Sequence, residues 1–178
     1  MSAFTFQNIS AMIKSMPRSW FKLIVSIGVS QLAGIIGSFF TFSAITDWYQ
    51  FLNKPFFSPP NWIFGPVWTT LYTLMGISLY LNWIKLSDKK FAKQRTYIQN
   101  SVIIFLVHLV VNSVWSIIFF SFQDLLGALV VVVILWSMIL WMIVRFKKPD
   151  RWASYLLYPY LGWVSFASVL NFTLWLIN

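Results

Sequence analysis

A chain of 178 residues that is 59% hydrophobic and only 10% charged is ill suited to water, because soluble domains carry about 25% charged residues. A mean hydropathy of +0.74 excludes disorder as well, since disorder needs low hydrophobicity and high charge. The lack of Cys and Glu, with one His and four Asp, excludes disulfide scaffolds and thiol catalysis and leaves too few ligands for a zinc or paired-carboxylate site.

Residues 1–20 mix polar and apolar side chains, with Lys14 and Arg18 near the end. They read as an N-terminal cytoplasmic segment lying at the membrane interface, suited to a short amphipathic helix. A secretory signal would place its basic residues before the apolar part. Residues 21–178 read as one transmembrane domain. Cutting it at its charges leaves five apolar intervals: Leu23–Thr46, Pro55–Ile84, Thr96–Gln123, Leu125–Val144 and Trp152–Asn178. Each reaches the roughly 20 residues that a helix needs to cross the hydrocarbon core. Runs such as Val130–Leu135 and Ser101–Val111 lack the alternation of barrel strands, so the backbone must satisfy itself as helix. The expected fold is an all-α integral membrane protein, a single bundle of five transmembrane helices.

Helix one carries Ser26, Ser30, Gly34 and Ser38 at steps of four. Small residues at this spacing let helices approach closely in lipid; the row fits internal packing or a dimer seam. Asp47–Asn61 holds Lys54-Pro55 and Pro59-Pro60. It predicts an ordered, extended loop feeding a helix that starts near Pro60, with Pro66 a candidate kink. The loop Lys85–Arg95 is charged and should be solvated. Helices three and four join tightly around Ser121–Leu125, and Pro149 ends helix four. With five spans, one side collects twelve Lys and Arg residues and the other only Lys54. That asymmetry predicts a cytoplasmic N-terminus. Topology and anionic headgroups account for the net charge of +9, so the bilayer suffices as its partner and no nucleic acid is needed.

Polar residues within spans usually face the protein interior. His108 and Asn112 share a face of helix three, and Trp115 and Ser116 extend it. His108 fits a hydrogen-bonded packing residue or a ligand contact; a metal site is not expected. Helix two repeats Phe64, Trp68, Tyr72 and Met75 on one face, and helix five offers Tyr160, Trp163, Ala167 and Asn171. Trp20, Trp48, Trp83 and Trp152 fit interfacial belts. Trp68, Trp115 and Trp163 lie deep, where an indole needs a partner for its N–H and presents broad flat faces. Several such faces among a few amides suit a flat, largely apolar ligand.

Three runs carry a family resemblance: Trp48-Tyr49 with Lys54-Pro55, Pro59-Pro60 with Gly65-Pro66-Val67-Trp68, and Pro159-Tyr160-Leu161 with Trp163. With Asn112, Trp115 and Asn171, this order resembles the TspO/MBR translocator protein family, also known as tryptophan-rich sensory proteins or peripheral-type benzodiazepine receptors. The resemblance implies a five-helix bundle, commonly a homodimer, in bacterial membranes or the outer mitochondrial membrane. It implies binding of porphyrins, sterols and synthetic drugs in a pocket beneath the loop between helices one and two. The matched positions are Tyr49, Pro59, Phe64, Trp68, Asn112, Trp115, Trp163, Ala167 and Asn171. Trp68 and Trp163 also match tryptophans linked to light-dependent porphyrin breakdown. The chain departs from the pattern at His108, where Gln is usual, and at Val131, where an acid is usual. Phe172 takes the Tyr place of the sterol-recognition pattern and nothing basic follows, which argues against cholesterol as a tight ligand.

The expected function is therefore a membrane receptor or translocator for porphyrins and similar flat lipophiles. Haem and other tetrapyrroles enter as ligands; no cofactor is required. His108 or Asn112 is expected to orient the ligand's polar edge. The alternatives are a porphyrin-degrading photooxidase, with Trp68 and Trp163 as candidate electron donors, and a stress-related regulatory interaction protein. No acid–base set is visible in the sequence. A prokaryotic cell membrane is the expected location.

Overall fold

The computed structural model describes residues 18–178; the predicted interfacial helix before them lies outside the described residues. Helix α1 spans Arg18–Asp47, α2 Phe64–Lys85, α3 Arg95–Ser116 and α4 Leu125–Lys147. The fifth span is made of two pieces, α5 (Arg151–Tyr155) and α6 (Tyr158–Ile177). No strand occurs among the described residues. The protein is a five-span all-α membrane protein, as the charge-free intervals predict.

Three of the four acids mark helix starts, while Asp47 ends α1. Asp124 Oδ1 accepts from Gly127 N at 2.9 Å to open α4. Asp150 Oδ1 accepts from Trp152 N at 2.9 Å and Ala153 N at 3.3 Å to open α5. Asp88 accepts from Lys90 N at 2.9 Å to open a 3₁₀ segment, Lys89–Gln94. Each cap satisfies amide donors that a helix start leaves without carbonyl partners. Asp150 also pairs with Lys85 at 3.1 Å, tying the end of α2 to the start of the fifth span.

One expectation needs correction. Trp152–Asn178 is not one continuous helix: it breaks at Leu156–Leu157. The cause is Pro159, which has no N–H to donate and whose ring collides with the preceding turn, so a new helix starts with Pro in its first turn. Helix two begins next to Pro60, as a 3₁₀ turn, Asn61–Ile63, that runs into α2 at Phe64. Pro66 therefore sits in the first turn, where a missing N–H costs nothing.

Helices α1, α3, α4 and α6 are long and apolar enough to cross a membrane; α2 falls short on composition. Thr69, Thr70 and Thr73 of α2 each donate to the carbonyl four residues earlier, at 2.9 Å. Thr73 Oγ1 also accepts from Gln31 Nε2 of α1 at 3.0 Å.

The helices form a ring in which α1 packs on α2 and α3, α4 on α3 and α6, and α6 only thinly on α2. Close approach of α1 and α2 depends on Gly76: a Cβ there would lie 2.5 Å from Ile27 Cα. Ser26 and Ser30 are fully buried. The row of small residues on α1 is thus used inside the chain. The core gathers Met75, Phe105, Leu135, Ile139, Phe146 and Tyr160.

Candidate functional site

Where α2 and α6 draw apart, α1, α2, α6 and the end of α3 border a half-open cavity of about 500 Å³. That lies within the usual range for small-molecule sites. Trp68 and Tyr72, one helical turn apart on α2, form a flat wall. Their rings stack with centroids 5.3 Å apart and planes 28° apart. Tyr160 stands edge-on to Trp68 at 6.1 Å.

The outer end is an aromatic cluster beneath the loop 48–60. Helix α3 ends in a π-helical turn, Ile117–Ser121. This wider turn carries Phe119 and Phe120 toward Tyr49, at centroid distances of 6.1 Å each. Trp115 lies 5.2 Å from Phe119. Lys54 Nζ sits 4.4 Å above the Tyr49 ring, an attraction between a cation and the electron-rich face. The loop is also tied to the end of the fifth span. Asn53 N donates to Asn178 Oδ1 at 2.8 Å, and Asn178 Nδ2 donates back to Asn53 O at 3.1 Å.

Of the residues singled out from sequence, Tyr49, Phe64, Trp68, Trp115, Ala167 and Asn171 line the cavity. Pro59, Trp163, His108 and Asn112 are not among its walls. Trp163 stands edge-on behind Phe64 at 5.9 Å. His108 and Asn112 are buried behind Tyr72, 0% and 2% exposed, so the face they share points at the core rather than at the void. The reading of His108 as a hydrogen-bonded packing residue agrees with this placement.

Sequence reasoning missed the contribution of α1. Gly34, Gly37, Ser38, Thr41 and Phe42 form a whole side of the cavity. The signal was present in the small residues, which vacate volume as well as permitting close packing.

No Lys, Arg or Asp lines the cavity. Its amides and hydroxyls are mostly engaged. Asn171 Nδ2 donates to Leu125 O at 2.9 Å, and Asn171 Oδ1 accepts from Trp115 Nε1 at 3.4 Å. Thr41 and Thr69 donate to their own helices. The Tyr49 hydroxyl is closed off from the cavity and lies beside Ser58 of the loop. Burial pushes this phenol's pKa up, with a smaller opposing effect from Ser58. The arrangement can hold a flat apolar molecule between aromatic planes. Neither a nucleophile–base pair nor a cluster of metal-ligating residues occurs at the cavity among the described residues.

The pattern of the TspO/MBR family matches residues 26–176. The chain belongs to the TspO/MBR family. It is similar to the tryptophan-rich protein TspO of Archaeoglobus fulgidus, with 42% identity over 88% of this chain and 97% of that protein. The human translocator protein is 32% identical over 91% of this chain and 90% of its own length. The tryptophan-rich sensory protein of Cereibacter sphaeroides is 31% identical over 74% of this chain and 77% of its own. Family membership and the membrane-spanning helices together make this a multi-pass integral membrane protein with a receptor or sensor role. All six cavity-lining residues named above fall inside the part that matches the TspO/MBR pattern.

Proposed function

We propose that this TspO/MBR protein binds porphyrins and related flat lipophiles in the cavity beneath the loop 48–60. The observation that carries the proposal is the 500 Å³ void bordered by the stacked Trp68–Tyr72 wall and the cluster of Tyr49, Trp115, Phe119 and Phe120. A macrocycle lying against Trp68 covers its apolar faces. Aromatic contacts of this kind stabilise by about 0.5–1.5 kcal/mol each beyond area burial. The lack of lining charge matches a ligand that partitions from the bilayer. Ionic groups on such a ligand are best placed at the mouth, near Lys54. In this reading the protein serves as a receptor or translocator in a prokaryotic cell membrane, its basic end and N-terminus cytoplasmic. A homodimer would use faces of α1 other than the buried Ser26 and Ser30 row.

The test is titration of purified protein with protoporphyrin IX, read by quenching of Trp emission. Saturable quenching that weakens in Trp68→Ala supports the reading. Quenching that is linear in porphyrin, or unchanged by the substitution, overturns it.

A second reading, light-dependent porphyrin breakdown, is favoured by one observation: Trp68 lies on the cavity wall, within electron-transfer reach of a bound pigment. Bleaching of the bound porphyrin under illumination, compared with empty detergent micelles, decides it.

A further inference from the structure

A chain of four buried polar side chains runs behind the cavity wall. Tyr72 OH donates to Asn112 Oδ1. Asn112 Nδ2 donates to Tyr160 OH at 2.9 Å. Tyr160 OH lies 2.9 Å from His108 Nε2. All four residues are at most 5% exposed. The direction of the three links depends on which group holds each proton, and the Tyr72–Asn112 bond sets it. Tyr72 has one hydroxyl proton and gives it to the amide oxygen of Asn112. The amide therefore turns its NH₂ toward Tyr160, whose oxygen accepts. Tyr160 still has its own proton to place, and His108 Nε2 is the acceptor within reach. His108 thus holds its ring hydrogen on Nδ1, an atom with no hydrogen-bond partner of its own; this is the tautomer that leaves Nε2 free to accept.

We propose that His108 is a positioning residue for the ligand cavity: by accepting the Tyr160 proton it sets the direction of the chain, and so holds the Tyr72 ring flat as the surface on which Trp68 stacks. The proposal rests on the reading of the cavity as a ligand site. His108 itself never touches ligand. Tyr72 lines the cavity but its hydroxyl is committed away from it. The wall is therefore an apolar ring face rather than a hydrogen-bond donor.

Removing the acceptor at position 108 orphans the Tyr160 proton in the core. A buried donor left unmade is costly, and the chain can recover by reversing. Tyr160 then donates to Asn112 Oδ1, the amide flips, and Nδ2 turns to Tyr72. Tyr72 then accepts from Asn112 Nδ2 instead of donating to Oδ1, its own proton has no acceptor behind the wall, and the ring is drawn from the position in which Trp68 stacks on it. A Gln at 108 offers a carbonyl oxygen in place of the imidazole nitrogen and keeps the original direction.

Three variants, His108→Leu, His108→Gln and Tyr160→Phe, test this with protoporphyrin IX as probe. The expected outcome is that His108→Leu and Tyr160→Phe weaken binding about tenfold, while His108→Gln stays within about twofold of the parent. Equal affinity in His108→Leu overturns the proposal, as does His108→Gln binding no better than His108→Leu. Should His108→Leu fail to fold, Tyr160→Phe against His108→Gln carries the same comparison. The tyrosine bands in ultraviolet resonance Raman spectra of ligand-free protein give a readout independent of porphyrin. They should shift in His108→Leu and return in His108→Gln. If the parent protein binds no porphyrin the ligand-site reading fails by itself, whereas unchanged tyrosine bands in His108→Leu defeat the positioning role.

Discussion

Gly34 on α1 lies directly under the ring of Tyr72 on α2: a Cβ at Gly34 would fall 2.7 Å from Tyr72 Cδ2 and closer still to Cε2. Real Cβ atoms do not approach so closely, and the Tyr72 ring is held by its bond to Asn112. Glycine is therefore needed here for space. Gly28, on the same helix, has nothing within 4 Å of the corresponding position. Gly34→Ala should lower Tm by several degrees, through overpacking of roughly 1–3 kcal/mol, and weaken ligand binding because Tyr72 must move. Gly28→Ala should be neutral or stabilising by up to about 1 kcal/mol, through the helix preference of Ala alone. Thermal unfolding of both variants in one detergent checks the contrast; equal Tm values for the two would refute it.

Gly76 offers a harsher case. The atom that blocks its Cβ is Ile27 Cα, at 2.5 Å, so helix backbone rather than a side chain must retreat. Gly76→Ala should destabilise more than Gly34→Ala, and it should do so without a specific loss of porphyrin affinity in the fraction that remains folded. The same pair of measurements decides it.

Tyr49 bears on stability rather than binding. Its hydroxyl is closed off from the cavity beside Ser58. Tyr49→Phe should therefore change Tm little at neutral pH and leave protoporphyrin IX binding unchanged. The pH dependence follows from the raised pKa. The folded state keeps the phenol proton where the unfolded chain has begun to lose it, so this residue's share of stability is present below pH 10 and declines above it. Thermal melts from pH 7 to 11 should show a shallower alkaline fall in Tyr49→Phe than in the parent.

How much of this was legible beforehand depends on which physical signal carried it. The five spans were legible because charges are expensive in hydrocarbon, and the intervals between them show where lipid begins and ends. Phe64, Trp68 and Trp115 were legible because aromatics recur on one face of α2 and stand deep in α3, Ala167 and Asn171 through their helical spacing on the fifth span, and Tyr49 through the family resemblance. His108 and Asn112 were placed on one face correctly, yet periodicity says only that residues share a face, not which void or core it meets. The break at Leu156–Leu157 was written in Pro159, but an unbroken apolar run concealed it. The α1 wall was hidden for a different reason. Gly34, Gly37 and Ser38 contribute by the atoms they lack, and a missing side chain reads equally as close packing or as open space.

The covering loop yields the remaining prediction. Its hold on the bundle runs through Asn178, which accepts from Asn53 N at 2.8 Å and donates to Asn53 O at 3.1 Å, while a further bond to Leu174 O at 2.9 Å keeps the side chain in place. One side chain thus satisfies both backbone groups of Asn53, and the loop runs between Tyr49 and Asn61, which both line the cavity. Asn178→Ala removes both bonds at once without touching the cavity wall. Each is a neutral, partly solvated bond contributing about 0.5–1.5 kcal/mol, so the loop should open more often by roughly a factor of ten. Porphyrin should then dissociate several-fold faster, with association unchanged or quicker, because the bound contacts are intact and only the cover is loosened. Stopped-flow quenching of Trp emission resolves the two rates. A slower association with unaltered dissociation would mean that the loop builds the site rather than covers it.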